Sequence, residues 1–249
     1  MAELDGRVAL VTGAGRNIGR AIALDLAQAG AAVVVNARSN QVEADAVVKE
    51  ITGAGGKAIA HLADVTDANA VQRMVDAATA RFGRLDILVN NAAVRAEVSF
   101  AELDYATWRA VLGVCLDGAF HCTKAAHAAL KAAGGSGAIV NIGGISAHTG
   151  ASDRAHVLTA KLGLVGFTRA LAHDLAPDGI TANCVVPGQI DTARAAGSAP
   201  SHHATHKPLV GRRGRPDEIA SAVRWLVGPQ GRYVTGQAIH VNGGMYHGV

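Results

Sequence analysis

Seven short runs of nearly unbroken apolar residues recur along the chain, each separated from the next by a stretch of helical character. The runs are VALVT (8–12), AAVVVN (31–36), KAIAH (57–61), DILVN (86–90), AIVNI (138–142), TANCVV (181–186) and AIHVN (238–242). A strand that is apolar on both faces has to be covered on both faces. The stretches between them supply that cover: 18–29, 41–52, 67–81, 105–132, 154–175 and 216–227. Alternation of this kind winds right-handed βαβ units into one parallel sheet. The expectation is an α/β, doubly wound fold with a seven-stranded parallel sheet and helices on both faces.

A chain of 249 residues with 49% hydrophobic and 17% charged residues has enough apolar surface for one large core, and a single domain over 1–249 is expected. No repeat, linker or low-complexity tract divides it. The one turn-rich interruption, 191–214 (DTARAAGSAPSHHATHKPLVGRRG), is long for a connection and reads as a substrate loop. The formal charge of +3 is spread along the chain and aromatics make up only 4%, which argues against a nucleic-acid partner. No apolar run approaches the ~18 residues a membrane span needs, and MAELDGR lacks the basic start and apolar core expected of a secretory signal. A cytoplasmic location with no membrane partner is expected. The cysteines Cys115, Cys122 and Cys184 have no metal-ligand spacing and suit reduced packing thiols.

Directly after the first run comes TGAGRNIGRAIA, residues 12–23. Gly13, Gly15 and Gly19 let the backbone turn tightly and approach a pyrophosphate, while the following helix offers unpaired N–H groups and the positive end of its dipole. A dinucleotide site follows from a glycine turn placed between strand and helix. An NAD site typically shows a carboxylate about 20 residues further on, for the ribose 2′-hydroxyl. Here the second run ends Asn36-Ala37-Arg38-Ser39, with no acid. Arg38, with Arg16 in the glycine turn, suits a 2′-phosphate, so NADP(H) is expected over NAD(H).

These residues, with others downstream, resemble the short-chain dehydrogenase/reductase family across essentially the whole chain, and most of all its 3-oxoacyl-carrier-protein reductase-like members. The fold implied is a single Rossmann-like domain. TGAGRNIG is similar to the family's T-G-x-x-x-G-x-G, with Asn17 in place of a usual glycine and Ile18 and Gly19 completing the turn. Asn is the best non-glycine visitor to positive φ. Asp64-Val65 resembles the pair beside the adenine, Asn90-Asn91-Ala92-Ala93 the N-N-A-G segment, and Pro187-Gly188 with Thr192 the segment bordering the nicotinamide. The resemblance also implies a homotetramer, assembled through the helices near 105–132 and 154–175 and the last strand.

The resemblance implies four cooperating catalytic residues: an asparagine holding a water relay, a serine orienting the carbonyl, a tyrosine donating the proton, and a lysine binding the nicotinamide ribose. By the flanking motifs, Cys115 stands at the asparagine position, Gly144 at the serine and Val157 at the tyrosine. Only Lys161 remains. The chain's tyrosines, Tyr105, Tyr233 and Tyr246, leave 106–232 without one, so no register shift restores it.

Other residues near the expected crevice are candidates to replace them. In an extended segment Ser146 points to the same side as Gly144, two residues earlier, and His148 follows in the same loop. His156 lies ~140° around a helix from Lys161 and is expected to face elsewhere, whereas Arg154 is only ~20° away in phase. Arg154 and Arg95 suit an anionic substrate. His202, His203 and His206 lack a convergent carboxylate or cysteine, and no metal site is expected. Two functions remain open: an NADP-dependent oxidoreductase acting on a small polar or anionic carbonyl, alcohol or imine, with Lys161 on the ribose and Ser146, His148 or water on the proton path; or a non-redox dinucleotide binder serving as sensor or scaffold.

Overall fold

The computed structural model describes residues 2–192 and 207–247. Strands β1 (Val8–Val11), β2 (Ala32–Ala37), β3 (Lys57–Leu62), β4 (Ile87–Asn90), β5 (Ala138–Ile142), β6 (Thr181–Pro187) and β7 (Ala238–Val241) form one sheet in the order β3-β2-β1-β4-β5-β6-β7. Every pairing is parallel, with Leu10 facing Val34 on one side and Leu88 on the other. The chain winds outward from β1 to one edge, crosses back to β4 and winds to the other. That reversal opens a crevice beyond the carboxyl ends of β1 and β4.

Alternate side chains divide the interior between two layers. Ala9 and Val11, Val33 and Val35, and Ile87 and Val89 join one apolar cluster with α1 (Asn17–Gln28), α2 (Gln41–Gly53) and α8 (Pro216–Val227). Val8, Leu10, Val34 and Leu88 join the other with α3 (Ala68–Phe82), α5 (Gly118–Ala132) and α7 (Ala155–Asp174). The caps follow the sequence: Asp67 accepts from Asn69 and Ala70, Asp104 from Thr107, and Pro216 opens α8.

Two elements depart from the sequence reading. The long helix expected over 105–132 is α4 (Tyr105–Leu112), a π-helical segment (Gly113–Asp117) and α5 in succession. The extended reading of Gly144 to Ser146 is overturned: Ile145 is already helical, and α6 (Ser146–Thr149) forms one short turn closed by Gly150 at φ 80°. The N–H of Ala147 donates to Gly144 at 3.2 Å and that of His148 to Ile145 at 2.9 Å, so local bonds replace strand continuation. Most of the 191–214 loop, with His202, His203 and His206, lies outside the described residues. Among the described residues no helix is long and apolar enough to cross a membrane.

Candidate active site

The crevice at the β1/β4 reversal is a cleft of about 1240 Å³. Its rear is fastened by side-chain bonds to backbone. Thr12 Oγ1 accepts the N–H groups of Asn91 (2.9 Å) and Ala92 (3.0 Å), and Asn91 Nδ2 donates to the carbonyls of Thr12 and Gly13. Asn36, buried at the end of β2, accepts from the Gly13 N–H at 3.2 Å and donates to the carbonyls of His61 and Ala63. Thr12 and Asn36 therefore lock the glycine turn to three strands. Both stand inside the glycine-turn and second-strand motifs, yet nothing local in the sequence marks their roles, because their partners are backbone atoms of distant strands.

At the turn Gly13 holds φ 61° and Asn17 φ 53°, the left-handed region where asparagine is tolerated. A Cβ on Gly13 would come 3.1 Å from Ala92 Cα, tighter than ordinary contacts, so the two loops meet at glycine distance. No side chain caps α1 and no acid occupies its first turn. That helix end, flanked in the cleft by Gly13, Gly15, Arg16, Asn17, Ile18 and Gly19, has the chemistry to receive an anion. Arg38 stands exposed at the end of β2 and lines the same end. Arg16 and Arg38 share that end with the carboxylates of Glu43 and Asp64, and Arg38 acts on Asp64 directly. Asp64 and Val65 form the adjoining wall; the Thr66 N–H, bonded to Asp64 at 2.9 Å, holds that carboxyl below its ordinary range. The uncapped helix end, two guanidinium groups and backbone at glycine distance fit a dinucleotide with an additional phosphate.

The other half of the cleft carries Lys161. Its Nζ donates to the Ile142 carbonyl at 2.6 Å, which anchors the amine at the end of β5. Burial is the first cause lowering its pKa; Arg95 lowers it further, against the thiols of Cys115 and Cys184. Val157, one turn earlier on α7, also faces the cleft, and Gly144 borders the lysine from the loop after β5. Pro187 and Gly188 close the far wall. Gly188 lies hard against Asn242, where a Cβ would come within 2.7 Å of its Cα.

Of the residues singled out from sequence, the cleft gathers all of the expected cofactor contacts except Thr192, whose hydroxyl is buried nearby with no hydrogen-bond partner among the described residues. Ser146 lines the cleft. His148 does not: the α6 turn carries it against His240 and Tyr246, with ring centroids 4.6 and 5.3 Å away. His156 is fully buried outside the cleft lining. Arg95 and Arg154 do line it, and Arg154 Nη1 stands 3.8 Å from Glu97. None of the three tyrosines does; Tyr105 and Tyr233 are exposed and Tyr246 belongs to the His148 cluster. Cys115 and Val157 instead share a buried apolar cluster with Val111, Leu112 and Ala160, on which Trp108 packs. The cleft thus has one cationic amine set beside an apolar floor.

The family described as Enoyl-(Acyl carrier protein) reductase matches residues 13–246. A 3-oxoacyl-[acyl-carrier-protein] reductase of Synechocystis is 40% identical over 98% of this chain and 99% of its own. The corresponding Escherichia coli reductase is 37% identical over the same shares. Among solved structures, a Burkholderia cenocepacia short-chain dehydrogenase in complex with NADP superposes with TM-score 0.91 at 36% identity, over 98% of this chain and 99% of that one. A Sinorhizobium meliloti dehydrogenase/reductase gives TM-score 0.93 at 37% identity, over 98% and 97%.

Proposed function

The chain belongs to the short-chain dehydrogenase/reductase family, and from that premise we propose that it is an NADP(H)-dependent oxidoreductase working without a tyrosine acid. Its substrate on this reading is a small polar or anionic carbonyl compound or imine, or the corresponding alcohol. The observation that carries the proposal is one continuous cleft with an uncapped helix end and two guanidinium groups at one end and Lys161 at the other.

NADP(H), when bound, supplies or accepts the hydride. Arg16 and Arg38 would hold the 2′-phosphate by charge-assisted hydrogen bonds, and the first turn of α1 the pyrophosphate. Asp64 and Val65 would flank the adenine, Pro187, Gly188 and Thr192 the nicotinamide, and Lys161 its ribose. The NADP complex of the Burkholderia relative supports the choice of dinucleotide. Among the described residues lining the substrate end, Arg95, Arg154 and Lys161 stand with one carboxylate, Glu97, a positive balance that favours an anion. A substrate whose electron sink is already activated, such as an iminium group, needs a strong proton donor least.

A second reading is a dinucleotide-binding sensor or scaffold without redox turnover, favoured by the apolar pairing of Cys115 and Val157 beside the lysine. NADPH fluorescence titration followed by a panel of carbonyls, imines and alcohols separates the two: turnover supports the first, and tight binding with no turnover across the panel supports the second. We further propose a cytoplasmic homotetramer with 191–214 as its substrate loop. Phe120 of α5 and Leu162 of α7 are exposed apolar side chains on the helices expected to assemble. Sedimentation at several concentrations tests the assembly.

A further inference from the structure

Resting on the oxidoreductase reading above, we infer that the Lys161 ammonium is itself the proton donor to the substrate oxygen. Its bond to the Ile142 carbonyl uses one of three N–H groups, and the others remain available to the cleft. Val157 ends in two methyl groups and Gly144 has no side chain. A Cβ built on Gly144 would stand 3.7 Å from Lys161 Cγ, an ordinary contact, so that flank of the lysine is open. Neither neighbour places a hydroxyl between the amine and a substrate.

The groups bearing on the amine come from three elements: Cys115 from the π-helical segment, Cys184 from β6 and Arg95 from the loop after β4. The Cys115 and Cys184 thiols act against the shift, but burial, which also pushes the Cys184 thiol up to about 11, outweighs them. Burial and Arg95 both make the ammonium a readier acid than a solvated lysine. General acids work best when their pKa approaches the operating pH. The step balances simply. As the carbonyl carbon receives hydride, its oxygen takes the Nζ proton: a C–H and an O–H bond form, the C=O π bond and one N–H bond break, and the resulting amine regains its proton from water. In the oxidation direction the neutral amine accepts the alcohol proton.

The test uses two variants and one measurement without cofactor. Lys161→Arg keeps the positive charge but cannot release a proton in the neutral range. With NADPH affinity measured in parallel and hydride transfer read at saturating cofactor, single-turnover transfer at neutral pH should fall about 10²-fold or more. Lys161→Ala should regain transfer when ethylamine or related amines are added, with rates that follow the amine pKa. In cofactor-free protein, the pH midpoint for acetic anhydride labelling of Lys161, read by peptide mass, should lie below the ordinary ~10.4 of lysine. It should coincide with the pH above which wild-type reduction declines. Hydride transfer by Lys161→Arg within tenfold of wild type, no amine rescue of Lys161→Ala, or an ordinary labelling midpoint overturns the inference and leaves the oxidoreductase reading standing. A wild-type protein that binds NADPH yet transfers no hydride across the panel overturns both.

Discussion

Gly144 faces the Lys161 stem with room for a side chain, since a Cβ on the glycine would lie 3.7 Å from the lysine Cγ. Gly144 does not occupy the left-handed backbone region, so an L-residue fits there without strain. Gly144→Ser is therefore expected to leave the melting temperature almost unchanged. Combined with Val157→Tyr it places a hydroxyl and a phenol beside the amine, and a positioned acid contributes roughly 10²–10⁴-fold to such steps. The double variant should gain ketone reduction by at least tenfold, measured as NADPH oxidation with a simple ketone.

Arg38 stands at the end of β2, where a carboxylate would select NAD(H). Hydrogen bonds between charged groups contribute about 1.5–3 kcal/mol, so Arg38→Ala should weaken NADPH roughly 10- to 100-fold. NADH, which has no 2′-phosphate, should change little. Because Arg38 is exposed, the gap between the two cofactors should narrow at high salt, where the Debye length falls to about 3 Å. Fluorescence titrations of both cofactors at two salt concentrations check this.

Asn36, itself buried, bonds to the partly buried Gly13 N–H with one side-chain atom and to the His61 and Ala63 carbonyls with the other. Asn36→Ala leaves those groups unsatisfied at about 1–3 kcal/mol each at most. A drop in stability of roughly 2–3 kcal/mol is expected in urea unfolding, with weaker NADPH binding because the glycine turn loses its tether. Equal stability of the variant would show that the tether contributes nothing.

Asn17 tests the turn from the backbone side. At φ 53° it occupies a region that costs most L-residues about 1–2 kcal/mol and asparagine less. Asn17→Ala should lose about 1 kcal/mol, while Asn17→Gly should stay within about 0.5 kcal/mol because glycine's greater unfolded-state entropy offsets the relief of strain. Thermal unfolding of the pair decides between them.

The strands were legible because both of their faces are buried. Val8, Leu10, Ala9 and Val11 are all core residues, and such runs have no polar face to confuse their period. The interruption at Gly113–Asp117 was not legible, since a π-helical segment shifts hydrogen bonds without breaking the apolar spacing that marks a helix. Gly118 hints at it: a Cβ there would lie 2.6 Å from Val65 Cγ2, a contact only the fold reveals. Nothing between Gly144 and Thr149 announces a helix, so the sequence suggests an extended Ser146, although Gly150 at φ 80° is the stop signal that one short turn needs. In the cleft the glycine turn, Arg38 and Lys161 were readable from motif spacing. Asn36 and Thr12 were not, because their work is done on backbone atoms of other strands.

His156 supplies a pH dependence separable from catalysis. It is fully buried, and neither ring nitrogen has a hydrogen-bond partner among the described residues. Burial first, and then Arg154, lowers its pKa. His61, His148 and His240 are shifted the same way, each chiefly by burial. A histidine whose folded pKa is depressed contributes its full stability above the unfolded value of ~6.5; as pH falls below that value the unfolded chain takes up protons first. Stability should therefore decline from about pH 6.5 downward until the native histidines also protonate, at up to roughly 1.4 kcal/mol per pH unit for fully buried His156 and less for the partly exposed others. His156→Phe removes an unsatisfied polar ring of similar shape and should be neutral or stabilising at pH 7. It should also flatten the decline between pH 6.5 and 5, whereas a melting curve as steep as the wild type's across that range would show that His156 is solvated or paired in the folded protein.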